Sequence, residues 1–111
     1  HLDGARVDTK AEFLTAAAKA LHFPVWAGRN WDAFEELVND LSWLPPAKGY
    51  LLLFERASRL AVKEPQTLSV ALDILEMASQ GRLKDGSSPL AVLVRGAGRV
   101  AAGRPLLTTG R

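Results

Sequence analysis

Four carboxylates, Asp32, Glu35, Glu36 and Asp40, crowd into one short stretch of the 111-residue chain. Asp32 and Glu36 are spaced i, i+4, and so are Glu36 and Asp40; Glu35 is three residues after Asp32, and Asn39 four after Glu35. On a helix this spacing gathers them into a single polar ridge. Like charges at i, i+4 cost roughly 0.2–0.5 kcal/mol per pair. Asp32, in the first turn, recovers part of that through the helix dipole, whereas Glu36 and Asp40 lie beyond its reach. The ordinary reading of such a run is a solvated helix face. The functional reading is a preformed anionic surface that steers and holds a cationic partner. Trp26, in the Gly28-Arg29-Asn30 turn region ahead of the ridge, is expected to be exposed and would supply an aromatic anchor.

Other chemistry finds little support. The histidines are His1 and His22, and His22 follows a helix end, where it is expected to meet the last carbonyls rather than act as a base. Without cysteine there is no thiol nucleophile and no disulfide, a usage that suits a reducing, cytoplasmic compartment. His22 has no partner His at metal-ligand spacing, and nothing organises the oxygen cage that an all-carboxylate site would need. Exposed acids lack the burial that tunes a general acid or base. The Gly28-Arg29-Asn30 turn before a helix could hold an anion, but the following turn is acidic. Gly96-Ala97-Gly98 lacks the strand and helix context of a dinucleotide site. No enzyme activity, cofactor or metal is therefore expected.

The net charge of +2 conceals a division. Arg95, Arg99, Arg104 and Arg111 close the chain without an acid, so residues 1–94 hold the other 10 basic residues against 12 acids, a net charge of −2. No aromatic residues are interleaved with the closing arginines, so direct nucleic-acid binding is not expected. No apolar run approaches the ~20 residues of a membrane span.

These residues must be positioned by a small core. Hydrophobic residues make up 48% of the chain, enough for one domain. His1 to Val7 reads as a strand end with a turn at Asp3-Gly4; the chain begins at His1 rather than Met, so trimming of its N-terminus and of that strand is expected. Thr9 and Glu12 form a capping box for a helix from Lys10 to Leu21. Asn30 caps a second helix, Trp31 to Leu41, whose Phe34, Leu37, Val38 and Leu41 face the core. Gly49 to Phe54 reads as a strand buried on both faces, Glu55 to Ala61 as a short helical or irregular turn, and Gln66 to Ser79 as a helix with Pro65 at its start and Gly81 as its C-terminal cap. Leu90 to Val94 is the last strand. The expected fold is α/β, with a small three-stranded parallel sheet packed by three to four helices. The domain is expected to span residues 1–94, followed by a loose basic tail over 95–111, and a monomer is the default state.

The run Pro24-Val25-Trp26-Ala27-Gly28-Arg29-Asn30-Trp31-Asp32-Ala33-Phe34 resembles the barstar family, intracellular inhibitors of secreted microbial ribonucleases. That family carries a Pro-x-aromatic-x-Gly-x-Asn-(Leu/Trp)-Asp-Ala-(Leu) pattern, with an acid four residues after the Asp. Residues 2–14 are similar to its first strand end and helix; the likeness covers about residues 2–94 and is specific from Pro24 to Leu41. It implies an inhibitor that binds a basic, guanyl-specific type of ribonuclease one to one. The second helix and the loop before it would plug the active site, with carboxylates in place of substrate phosphates. By position, Trp26 matches an interface aromatic, Asp32 an interface acid and Glu36 the central acid. Gly28, Arg29, Asn30, Glu35, Asn39 and Asp40 fall within the same surface, Arg29 at its rim. Glu76 is the nearest candidate for a further acid that the family carries on its last helix. The chain departs from the family at Glu36, an Asp there, and at Glu35, Ala27 and Leu41, which stand where the family has interface aromatics. Those departures motivate a second reading, an interaction or regulatory module of the same fold with a partner that is not a nuclease.

Overall fold

The computed structural model describes residues 1–96 and 107–109. Its elements follow in order: β1 (Leu2–Asp3), a 3-10 turn (Gly4–Arg6), α1 (Lys10–Ala20), α2 (Trp31–Asp40), β2 (Tyr50–Glu55), α3 (Ser58–Lys63), α4 (Pro65–Asp85), β3 (Leu90–Arg95) and β4 (Leu107–Thr109). Strands β1, β2 and β3 form the expected parallel sheet, and β4 adds a short fourth strand parallel to β3, pairing Leu93 with Leu107. β4 falls within the segment expected to be a tail; the rest of that segment beyond Gly96 lies outside the described residues.

Strand order equals chain order, so the crossovers from β1 to β2 and from β2 to β3 step in the same direction across the sheet. Right-handed crossovers then lie on one face. The core agrees: Phe13, Leu14, Ala17, Phe34, Val38, Leu60, Leu68, Leu72 and Leu75 from the helices pack with Leu52, Phe54, Leu90, Val92 and Val94 from alternate strand positions. The expectation that β2 is buried on both faces fails for this reason. Leu51 is 61% exposed, and Leu53, Ala91 and Leu93 are half-buried on the face that no described helix covers.

Thr9 Oγ1 accepts from Glu12 N at 3.2 Å, and Glu12 Oε1 accepts from Asp8 N at 2.9 Å, closing the expected box at α1. Phe13 joins α1 to its neighbours, with ring centroids 6.1 Å from Trp31, 5.6 Å from Phe34 and 5.7 Å from Phe54. The stretch after β2, expected as a short helical or irregular turn over Glu55 to Ala61, holds the helix α3, which runs on to Lys63. α4 runs past its expected stop at Gly81 to end at Gly86, whose φ of 79° supplies the left-handed C-cap.

Around the strand ends, acids are matched by arginines: Arg59 grips Asp8 through two bonds of 2.6 and 2.8 Å, Arg56 meets Asp3 at 3.1 Å, and Arg95 meets Glu55 at 3.1 Å. The Arg59 hydrogen bonds, and then its charge, hold the Asp8 carboxyl below its ordinary value of 3.8. Asp3 is lowered first by the Ala5 backbone amide and then by Arg56. A carboxyl whose folded pKa is depressed stabilises the fold above its unfolded value and loses that contribution as pH falls through the folded one. Stability should therefore decline below about pH 4, and Asp8→Asn should flatten that decline in denaturant titrations between pH 7 and pH 2. An equally steep decline in Asp8→Asn would show that this pair does not contribute.

Candidate functional site: the acidic face of the second helix

Local chemistry sets where α2 begins. Asn30 has extended backbone, φ −148°, and its Oδ1 accepts from Ala33 N at 2.8 Å. Gly28 makes room for that cap, since a Cβ there would stand 2.7 Å from Asn30 Nδ2. Ala27 N donates to Pro24 O at 3.0 Å and Arg29 Nη1 donates to Ala27 O at 3.1 Å, so the loop is held by its own backbone. These bonds turn Val25 and Trp26 outward, 99% and 75% exposed. Trp26 is thus presented as expected, while Trp31 and Trp43 pack against the core, with Trp43 Nε1 donating to Leu21 O.

Phe34, Leu37 and Val38 are buried, and the opposite side of α2 carries Asp32, Glu35, Glu36 and Asp40, all exposed. Among the described residues none of these four acids is in an ion pair, although Asp3, Asp8 and Glu55 each have an arginine. Asn39 is exposed and donates from Nδ2 to Glu35 O at 2.7 Å, so its amide reinforces the helix beneath the ridge. Ala27 and Leu41 are buried, 9% and 1% exposed, and present no side chain to a partner. Leu41 ends α2 in the left-handed region, φ 56°, which turns it back into the core.

Arg82, unnoticed in the sequence, fixes the other end of α2. It is 5% exposed, and its Nη1 donates to Asn39 O at 3.0 Å and Asp40 O at 3.1 Å while Nε donates to Ser88 O at 2.7 Å. A guanidinium there satisfies carbonyls that a helix leaves open and matches the negative end of its dipole. Its signal was present: Arg82 stands seven residues after Leu75 and continues the buried stripe of Leu68, Leu72, Leu75 and Ala78.

Glu76 is not part of this surface. α2 approaches α4 at Gly81, where a Cβ would lie 4.0 Å from Asn39 Oδ1. At about 100° per residue, Glu76 points some 140° away from Gly81, onto the flank of α4 turned from α2. There its Oε2 is buried without a hydrogen-bond partner.

A concavity of about 810 Å³ is lined by His1, Leu2, Asp3, Arg6, Val7, one side of α1 and His22, and by nothing from α2. Among the described residues no three His, Asp or Glu side chains gather as metal ligands, and no helix is long and apolar enough to cross a membrane.

The fold and site together define a small parallel α/β domain that presents one acidic helix beside an exposed tryptophan. Residues 1–95 match the family model described as Barstar (barnase inhibitor), and the chain belongs to the barstar family. That family is one of inhibitors rather than enzymes. Comparison with curated proteins and with solved structures found no match.

Proposed function

We propose that the chain inhibits a basic ribonuclease of the guanyl-specific type, one to one, by seating α2 and the loop before it in the active site. Asp32 and Glu36 take the places of RNA phosphates, and Trp26 packs at the edge. Glu35 and Asp40 extend the field around them, with the Gly28-Arg29-Asn30 turn at the rim. The supporting observation is that, among the described residues, α2 holds four exposed acids without a basic partner, whereas Asp3, Asp8 and Glu55 at the strand ends are each held by an arginine. Fixed, preoriented charge of this kind raises association rates and selects cationic clefts. The domain acts as a monomer in the cytoplasm of the cell that makes it, and the contact is made from within residues 1–94.

The test is RNA cleavage by a panel of basic guanyl-type ribonucleases, barnase among them, with and without the purified chain. Stoichiometric inhibition is expected of at least one. Inhibition of none, or full inhibition by Asp32→Ala and Glu36→Ala, would remove the reading and favour a partner that is not a nuclease.

A further inference from the structure

The seam between α2 and α4 carries an exposed apolar residue that the acidic-ridge reading leaves unused. β2 and β3 are parallel, and α2 and α4 lead into their starting ends, so the two helices run in the same direction. Arg82 confirms the alignment by joining the last turn of α4 to the last turn of α2. Gly81 stands against Asn39. One turn earlier on each helix, Met77 therefore comes level with Glu35. Met77 is 64% exposed, and it lies about 40° around α4 from Gly81, on the outer side of the same flank. A flat approach to the α2 ridge from solvent would meet it.

We propose that the partner covers this seam as well as α2, and that Met77 is a specificity-determining contact that takes an apolar side chain of the nuclease beside its cationic centre. The proposal rests on the inhibitor reading above. An ammonium or guanidinium set against Met77 would lose water to an apolar side chain that offers it neither charge nor a strong acceptor, which costs binding. An apolar group there gains from contact with a flexible, polarizable thioether of the kind enriched in interface cores. The seam thus selects among basic ribonucleases that the acids alone would bind alike, by penalising those with a cation at this point.

The chain has one methionine and no cysteine, so Met77 can be followed by itself. Dilute hydrogen peroxide transfers one oxygen to the thioether sulfur and leaves the other as water, giving the sulfoxide. The experiment uses the nuclease of the panel that the parent chain inhibits. Met77→Ala is expected to bind it about tenfold more weakly, as follows from removing the γ-methylene, the sulfur and the methyl from a partly covered contact. Its salt dependence and unfolding midpoint should stay at parent values, since Met77 carries no charge and is exposed. Met77→Leu should bind within about twofold of the parent, and sulfoxide formation at Met77 should slow at least about tenfold in the complex. Parent-like binding by Met77→Ala, or undiminished oxidation within the complex, overturns the inference while the inhibitor reading stands. Inhibition of no nuclease in the panel removes both.

Discussion

Replacing Arg82 with methionine is expected to lower the stability of the domain by about 3–5 kcal/mol, because three hydrogen bonds from a buried cation are lost together and each is worth about 1.5–3 kcal/mol before water re-enters at the helix end. For a domain of this size that lowers the thermal midpoint by roughly 15–30 °C. The loss arises from position rather than from charge alone. Arg82 ties the end of α2, the start of the β3 approach at Ser88 and the body of α4 to one another, and its guanidinium stands 5.8 Å over the Tyr50 ring. Arg82→Lys keeps the charge but presents a single ammonium in place of a planar fork, and should fall between the parent and Arg82→Met. Calorimetry or denaturant unfolding decides it, and a midpoint for Arg82→Met within a few degrees of the parent would refute the role assigned.

The second large effect falls on binding. Asp32→Ala and Glu36→Ala should each weaken nuclease binding by about 30- to 5000-fold, the equivalent of the 2–5 kcal/mol lost when one partner of a covered charge pair is truncated, a range of cases that includes the family's own barnase complex. Stability should move the other way. Glu36 has like charges at Asp32 and Asp40, each costing roughly 0.2–0.5 kcal/mol on a helix surface. Glu36→Ala should therefore unfold at or slightly above the parent midpoint while it binds far worse. A surface that trades stability for an unpaired field is expected of a binding site and not of a merely solvated face. Isothermal titration at several salt concentrations measures both the loss and the shallower salt dependence that should accompany it. Parent-like affinity in both variants would place the contact elsewhere.

What the sequence made legible was local. Asn30 and Thr9 cap helices through bonds to residues three positions on, so the starts of α1 and α2 could be read directly. The ridge of α2 followed from helical spacing, and the exposure of Trp26 from a loop that closes on its own backbone. The misreadings were tertiary. Gly81 looked like a helix stop by propensity, yet α4 continues because the next residue, Arg82, is buried and bonded to the last turn of α2. The all-apolar run of β2 concealed an alternation, since Leu51 and Leu52 look alike in sequence but face opposite sides of a sheet covered on one face. Which of two adjacent α4 residues, Glu76 or Met77, stands beside α2 depends on the rotation of α4 against α2, and composition favours the acid while geometry selects the thioether. Leu41 is buried as its helical spacing predicted, and Ala27, at a position where the family has an interface aromatic, is buried as well.

The most direct measurement of the central claim is competition with an active-site ligand. The dissociation constant of the chain for the nuclease it inhibits should be determined without and with rising concentrations of guanosine 3′-monophosphate, at constant ionic strength. If α2 delivers Asp32 and Glu36 to the phosphate positions, the apparent constant should rise in proportion to nucleotide once the site is saturated. Affinity unchanged at saturating nucleotide would mean that both ligands sit on the nuclease together, and would contradict the claim that these carboxylates stand in for phosphate.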